Sequence, residues 1–285
     1  MNKNIKIATI GKTLRHFGGS NFICDSKRAL ACLTDYQFSF TDVPEFKSLD
    51  NNQEIKEADI WLVEGTILNA DYSDKQIFKN IKSEKNFLVG IFLEPFAVTG
   101  AIGKPNLKKY VDLNIGFTKD SDIRFLYSPH LHIEIANRTH DPSFSSRIPK
   151  VAAFVSADNC SFRTKILREL MAEFPTDSFG RILNNSNPCS ITPNSSRLEA
   201  NWRNGKRDIL KRYMFSFCFE NQILKEYVSE KVLDGLASGT IPIYWGCDEV
   251  YDYIPDKNSI INFKDFDSTK ELVKHLQEII HNQAL

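Results

Sequence analysis

The first half of the chain alternates short apolar runs with polar stretches whose spacing is compatible with helices. The apolar runs have the length and composition of buried strands, and they occupy residues 5–10, 36–40, 58–63, 86–93 and 113–117. Strands separated by helical segments are typical of a parallel sheet with helices on both faces. The pattern therefore predicts an α/β domain in this half.

The second half resumes the alternation after a break. Residues 137–150, NRTHDPSFSSRIPK, lose the periodicity and contain two prolines among small polar residues, as linkers do. Beyond them the pattern predicts strands at 151–156, 177–180, 213–220, 240–245 and 259–263, and helices at 161–174, 207–212, 226–238 and 268–280. We expect two domains, 1–148 and 149–285, facing a cleft that binds ligands beyond the carboxyl ends of the strands.

The balance of positive and negative residues excludes a strong overall electrostatic field around the protein. Lysine plus arginine number 36, as do aspartate plus glutamate, so nucleic acid is not an expected partner and any bound anion must be held by a few local groups. The first ten residues lack the apolar stretch of a signal peptide, and no uninterrupted apolar run reaches about 18 residues. We expect a cytoplasmic protein, with peripheral contact with the inner membrane left open.

Metal-binding patterns are weak. The six cysteines are scattered without a C-x-x-C pair, which fits neither a zinc site nor a disulfide framework. His130 and His132 are expected on one face of a strand, without a third ligand nearby. The sequence Asp120-Ser121-Asp122 is formally a D-x-D motif, but its loop position predicts solvated carboxylates. No metal site is predicted.

The most informative segment is residues 213–246. A helix over 226–238 would place Tyr227, Glu230, Lys231 and Asp234 on one side and apolar residues on the other. Lys231 and the helix N-terminus could hold a phosphate, and Glu230 could accept hydrogen bonds from ribose hydroxyls. The residues alone favour a plainer interpretation, an amphipathic surface helix with solvated charges.

A longer pattern changes that balance. The segment CFENQILKEYVSEKVLDGLASGTIPIYWG closely resembles the signature of the α1,3/4-fucosyltransferase family, which reads F-x-F-E-N, then Y-V-T-E-K, then V/I-P-V/I-Y-x-G. The resemblance spans residues 217–246, with Ser229 where threonine is usual. It implies a GT-B arrangement of two Rossmann-like domains, the first binding an acceptor and the second binding GDP-fucose.

The resemblance also implies roles for individual residues of this segment. Asn221 and Tyr227 match positions near the donor sugar, and Glu230 and Lys231 match donor-binding positions. Glu220 is left with two interpretations, a donor contact or a structural residue that orients a turn. Gly235, Ala237, Ser238 and Gly239 are expected to allow close helix packing and a tight exit into the next strand.

Two further blocks resemble the same family. Residues 151–170, VAAFVSADNCSFRTKILREL, are similar to its strand, loop and arginine-bearing helix, which implies that Arg163 binds the donor pyrophosphate. Residues 86–100, NFLVGIFLEPFAVTG, are similar to a segment that ends a strand with a glutamate. That alignment implies that Glu94 is the general base, and its apolar neighbours would raise its pKa if they pack around it.

The implied reaction is the inverting transfer of L-fucose from GDP-fucose to a hydroxyl of a GlcNAc-containing oligosaccharide or lipopolysaccharide, in α1,3 or α1,4 linkage. A base would remove the acceptor proton while Arg163 and Lys231 stabilise the departing diphosphate, so no cofactor is obligatory, although a divalent cation could stimulate the reaction. Two alternatives stay open: a transferase that uses another GDP-sugar, and a non-catalytic glycan- or nucleotide-binding protein.

Overall fold

The computed structural model describes residues 3–10, 36–43, 57–64, 85–93, 111–138, 144–187 and 202–282. The chain divides into two compact units, Met1–Phe125 and Leu126–Leu285. This division lies upstream of the predicted boundary between residues 148 and 149, because helix α1, Pro129–Ala136, packs in the second unit, where its Leu131 joins an apolar cluster with Val232 and Leu236. The binding roles assigned to the two domains stay predictions.

The first unit contains a six-stranded sheet in which every pairing is parallel, in the order β2-β1-β3-β4-β5-β6. Its strands are β1 Lys3–Ile10, β2 Tyr36–Val43, β3 Ile60–Glu64, β4 Phe87–Phe92, β5 Leu113–Gly116 and β6 Ile123–Arg124. The five predicted strands are confirmed, and β6 was not predicted. The helices expected between them lie outside the described residues.

The second unit contains a five-stranded parallel sheet in the order β11-β10-β9-β7-β8. Its strands are β7 Ile148–Ala153, β8 Thr176–Ser178, β9 Tyr213–Phe219, β10 Ile241–Trp245 and β11 Ile261–Asn262. Besides α1, its helices are α2 Ser161–Glu173, α3 Trp202–Leu210, α4 Glu230–Ser238 and α5 Thr269–His281. The predicted α/β class is confirmed for this unit.

Strand β9 lies at the centre of this sheet, and all seven of its residues are buried. Alternate residues of a strand face opposite sides of the sheet. Phe215 and Phe217 pack in one cluster with residues of α2 and α5, whereas Cys218 packs in another with residues of α1 and α4. Helices therefore cover both faces, which explains why β9 reads as a continuous apolar run.

Three local predictions for this unit were wrong. The helix expected from residue 226 begins at Glu230, because Glu226 has a left-handed backbone (φ 63°) and Ser229 caps the helix with extended geometry. Helix α3 extends through Gly205, against its low helix propensity, and ends at Leu210. His130 and His132 lie in α1, not in a strand, since Pro129 fits the first turn of a helix.

The strand order creates a reversal between β7 and β9. From β7 the chain crosses to β8 on one side, and from β9 it crosses to β10 on the other. In open α/β sheets ligands bind in the crevice beyond the carboxyl ends of the strands at such a reversal. The loop from β7 to α2 and the loop from β9 to α4 meet at this point. The residues predicted to bind the donor lie in the second loop and in the first turns of the helices that the two loops enter.

Candidate functional site

A polar cluster occupies the crevice at the carboxyl ends of β7 and β9. A pocket there is lined by aromatic residues of the two strands and their exits together with three cations, namely Phe154, Phe217, Phe219, Arg163, Lys206 and Lys231. Each cation comes from a different helix: Arg163 from α2, Lys206 from α3 and Lys231 from α4. The pocket thus combines apolar walls with local positive charge, as ligand sites usually do.

Arg163 lies in the first turn of α2 and is only 3 % exposed. Its guanidinium donates to the Asn221 side-chain oxygen, to the Ala157 carbonyl at 2.7 Å and to Asn159 Oδ1 at 2.9 Å. Burial lowers its pKa, against the opposing effect of neighbouring acidic groups that include Cys160 and Glu220. Within the described ranges no carboxylate lies within ion-pair distance of Arg163, and its buried Nε has no hydrogen-bond partner.

This arrangement suits an anion. A buried polar N–H without an acceptor is uncommon in folded proteins and calls for a specific explanation. The acceptors that Arg163 does have are neutral amide and carbonyl oxygens, so its charge is solvated by dipoles and not cancelled by a neighbouring carboxylate. A phosphate oxygen in the pocket would supply the charge-assisted hydrogen bonds that the protein itself does not provide there.

The start of α4 is organised around Glu220, which follows β9 and is completely buried. Its carboxylate accepts from Ser229 N at 2.8 Å, from Ser229 Oγ at 2.7 Å and from Lys231 Nζ at 3.2 Å. Ser229 Oγ in turn accepts from the backbone N–H of Lys231 and from its Nζ. Of the two interpretations that the sequence left for Glu220, the structure supports the structural one.

Lys231 therefore sits among acceptors. Burial lowers the pKa of its ammonium, but Glu220 and Glu230 outweigh burial and raise that pKa above its ordinary value. The Nζ atom lies 3.2 Å from Glu220 Oε2 and 3.8 Å from Glu230 Oε1. The side chain keeps 21 % exposure and remains charged, so it can reach a ligand in the pocket it lines.

A second buried ion pair lies beside the first. Lys206 Nζ is 2.7 Å from Asp234 Oδ2, and the two side chains are 10 % and 4 % exposed. Burial lowers the pKa of Lys206, but the carboxylates of Asp234 and Glu230 outweigh it and raise that pKa. The sequence placed Asp234 on a helix face left open to a ligand. That expectation was wrong, because α3 covers Asp234 and supplies its counter-ion.

The remaining predicted residues are distributed around this cluster. Asn221 is partly exposed and accepts from Arg163. Glu230 is partly exposed at the first turn of α4. Tyr227 precedes the helix and is 1 % exposed, with its ring edge-on to that of Tyr127 at 5.9 Å. Glu94 lies outside the described residues, so its role as a base stays a prediction.

The loop between β9 and α4 is held in place by the segment after β10. Glu226 N donates to Glu249 Oε2 at 3.4 Å, and the Tyr253 hydroxyl donates to the Glu226 carbonyl at 3.4 Å. The Cys247 thiol donates to the Tyr227 carbonyl at 3.5 Å. These contacts fix the left-handed turn at Glu226 and with it the positions of Asn221 and Ser229 at the two ends of the loop.

Lys206 and the capping role of Ser229 were not found from the sequence. The predicted helix 207–212 began one residue after Lys206, whereas the observed α3 places Lys206 on the same side as Ile209 and Leu210, both buried. The helical spacing of Lys206, Ile209 and Leu210 is a signal that could have identified an inward-facing lysine. Its pairing with Asp234, 28 residues away, has no local signature.

The D-x-D motif has a structural use. Asp122 Oδ2 accepts from the backbone N–H of Asn114 at 2.7 Å and from its side-chain amide at 2.5 Å, which ties the loop to β5. Among the described residues no group of three or more metal-ligating side chains is placed to hold a metal ion. No helix in the described part of the chain is long and apolar enough to cross a bilayer.

Comparison with known proteins agrees with this site. Residues 144–285, which contain every residue of the polar cluster, match the family described as "Glycosyltransferase family 10 (fucosyltransferase) C-term". The chain belongs to this fucosyltransferase family. The predicted family resemblance is thereby confirmed.

The alignments with individual relatives cover only part of each relative's length. The chain is 28 % identical over 137 residues to GDP-fucose protein O-fucosyltransferase 3 of Canis lupus familiaris, covering 48 % of this chain and 28 % of that protein. It is 27 % identical over 176 residues to an Arabidopsis thaliana α-(1,4)-fucosyltransferase, covering 59 % of this chain and 43 % of that one. The chain thus spans less than half the length of these relatives.

The fold extends beyond the matched half. A crystal structure of an α1,3-fucosyltransferase with GDP-fucose aligns with a TM-score of 0.58 and 19 % identity, covering 100 % of this chain and 80 % of that one. Together with two parallel sheets, one in each unit, this likeness confirms the GT-B fold class that was predicted for this chain.

Proposed function

We propose that this chain is a fucosyltransferase that takes L-fucose from GDP-fucose and transfers it to a hydroxyl group with inversion at the anomeric carbon. Membership of a fucosyltransferase family supports the class of reaction. The pocket supports the donor, because Arg163 and Lys231 lie at the reversal of a parallel sheet, where nucleotides bind in this class of fold.

One observation carries the proposal. Arg163, Asn221 and Lys231 lie up to 68 residues apart in the sequence, and all three lie at the carboxyl ends of β7 and β9. Two cations from two helix N-terminal turns converge there. As the bond between fucose and GDP breaks, negative charge grows on the β-phosphate, and preorganised cations stabilise that charge.

Inversion requires the acceptor oxygen to attack opposite the departing GDP while a base removes its proton. We assign the base to Glu94 on the resemblance of residues 86–100 to the family segment. We assign donor contacts to Arg163, Asn221, Tyr227, Glu230 and Lys231. We further propose that no divalent cation is obligatory, because the cations of the pocket can neutralise the leaving group.

The acceptor is proposed to be a GlcNAc-containing oligosaccharide or lipopolysaccharide, fucosylated in α1,3 or α1,4 linkage. The Arabidopsis relative, an α-(1,4)-fucosyltransferase, supports a glycan acceptor. A second candidate is a hydroxyl of a polypeptide, which is favoured by the similarity to GDP-fucose protein O-fucosyltransferase 3. The donor chemistry is common to both candidates.

The test is a transfer assay with GDP-fucose against N-acetyllactosamine-type glycans, lipopolysaccharide and folded peptide domains, with the product linkage read by NMR. Wild type should fucosylate one class of acceptor, and a buffer containing EDTA should leave most of the rate. Lys231→Met and Glu94→Gln should each reduce the rate by at least about a hundredfold. Glu173→Gln, on an exposed carboxylate at the far end of α2, should not change it.

Competing interpretations predict other results. A transferase for another GDP-sugar would bind GDP-mannose at least as tightly as GDP-fucose in calorimetry and transfer mannose. A non-catalytic binding protein would bind GDP-fucose without transfer or hydrolysis. Either result would overturn the proposed function, and full activity of both the Lys231 and Glu94 variants would overturn the assigned roles.

A further inference from the structure

The pocket contains one cation that the proposed donor contacts do not use. Lys206 lines the same pocket as Arg163 and Lys231, and it approaches from α3, whereas the other two come from α2 and α4. Its ammonium lies 5.9 Å from the centroid of the Phe154 ring, another residue of the pocket wall. Three helices therefore each direct one cation at a single crevice.

The hydrogen bonding of Lys206 is incomplete. An ammonium has three donors, and among the described residues the only hydrogen-bond acceptor of Lys206 Nζ is Asp234 Oδ2, at 2.7 Å. The side chain is 10 % exposed, so bulk water is scarce around the remaining donors. A hydrogen-bond acceptor placed in the pocket would bind the remaining N–H donors of this buried ammonium.

Stability alone does not account for such a pair. A buried ion pair contributes little to stability, and sometimes nothing, compared with apolar residues of the same volume. Apolar neighbours are available here, since Ile209 and Leu210 on the same side of α3 are both buried. Asp234 does, however, hold the ammonium in one place, as a preorganised binding site requires.

We propose that Lys206 is the third cation of the pocket and binds the diphosphate of the nucleotide donor together with Arg163 and Lys231, with Asp234 as the residue that positions its ammonium. The inference rests on the proposed function, because it assumes that a nucleoside diphosphate occupies the pocket. It goes beyond the family signature, since Lys206 lies outside residues 217–246 and outside residues 151–170.

Calorimetric titration with GDP and with guanosine tests the inference, because the two probes differ only in the diphosphate. Lys206→Met should weaken GDP binding by about ten- to a hundredfold, the range for losing a charge-assisted hydrogen bond, and should leave guanosine binding within about twofold. The double variant Lys206→Met with Asp234→Asn should show the same loss. It avoids leaving an unpaired buried carboxylate, so it keeps the test valid even if the single variant loses stability.

Lys211→Met is the matched control. Lys211 follows α3, is exposed and pairs with Asp208 on the surface, so its removal changes the net charge equally and should not alter GDP binding. Equal weakening of GDP and guanosine by the Lys206 variants would mean a general loss of pocket shape and would overturn the inference. So would unchanged GDP binding by the double variant. If the wild type bound no GDP at all, the proposed function would fail first and the inference with it.

Discussion

Replacing Glu220 with glutamine removes the acceptor around which the start of α4 is built. The carboxylate is fully buried and accepts from Ser229 N, Ser229 Oγ and Lys231 Nζ. Glutamine has the same shape but offers one acceptor oxygen and one NH₂ donor. At least one of the three donors would then face another donor, and the Lys231 ammonium would lose the closer of its two carboxylates.

The magnitude follows from these contacts. Breaking a buried ion pair by neutralising one partner costs about 3–5 kcal/mol, because the other charge stays buried. Lys231 keeps 21 % exposure and has Glu230 at 3.8 Å, which places the expected loss at the lower end, about 3 kcal/mol. This loss is a large part of the total stability of a typical protein, which is about 5–15 kcal/mol. It corresponds to a fall in Tm of roughly 6–12 °C.

Urea unfolding followed by circular dichroism measures the loss, and amide hydrogen exchange localises it. Exchange should accelerate most in peptides from α4 and the loop before it, while the first unit keeps its protection. Glu173→Gln is the control, because that carboxylate is exposed at the end of α2, and it should stay within about 0.5 kcal/mol of wild type. A Glu220→Gln variant that lost less than about 1 kcal/mol would refute the structural role assigned to this residue.

Three further predictions concern the same unit. Arg163→Lys keeps the charge but loses the forked guanidinium, so calorimetry should show GDP affinity reduced about tenfold or more, and unchanged affinity would contradict a bidentate role. Gly235→Ala would place a Cβ 2.6 Å from Ser216 Oγ, so urea unfolding should show a loss of about 1–3 kcal/mol; a stabilised variant would contradict this packing. Burial raises the pKa of Cys218 to about 12 and of Cys247 to about 11. Both thiols should therefore resist alkylation at about pH 8 in the native protein and react after denaturation, as measured by peptide mass spectrometry. Rapid labelling of either thiol in the native protein would contradict its burial.

The strands were predictable because their signal is local. A strand buried on both faces, such as β9, must be apolar at nearly every position, and this property is visible in the sequence without knowledge of the partners. The predicted close packing of Gly235 is confirmed, because a Cβ at this position would lie 2.6 Å from Ser216 Oγ. The predicted tight exit from α4 is made at Gly239, which has a left-handed backbone.

The start of α4 and the use of its polar face could not be predicted in the same way. Helical spacing allowed the helix to begin at residue 226, and the left-handed turn at Glu226 depends on contacts with Glu249 and Tyr253, more than 20 residues later. Asp234 looked solvent-facing because its counter-ion, Lys206, lies in another helix. Both errors concern tertiary partners, which a periodicity cannot reveal.

The two buried carboxylates of the polar cluster lie in the packed core of the second unit. Glu220 directly follows the buried strand β9, and Asp234 lies within a helix whose last seven residues are all buried. Each buried carboxylate fixes one lysine, whereas Arg163 keeps only neutral partners among the described residues. The paired carboxylates position the two lysines but neutralise part of their positive charge, whereas the positive charge of Arg163 is not neutralised by a paired carboxylate. An entering diphosphate would therefore be attracted most strongly by Arg163 and aligned by the lysines, because attraction follows uncompensated charge and alignment follows fixed geometry.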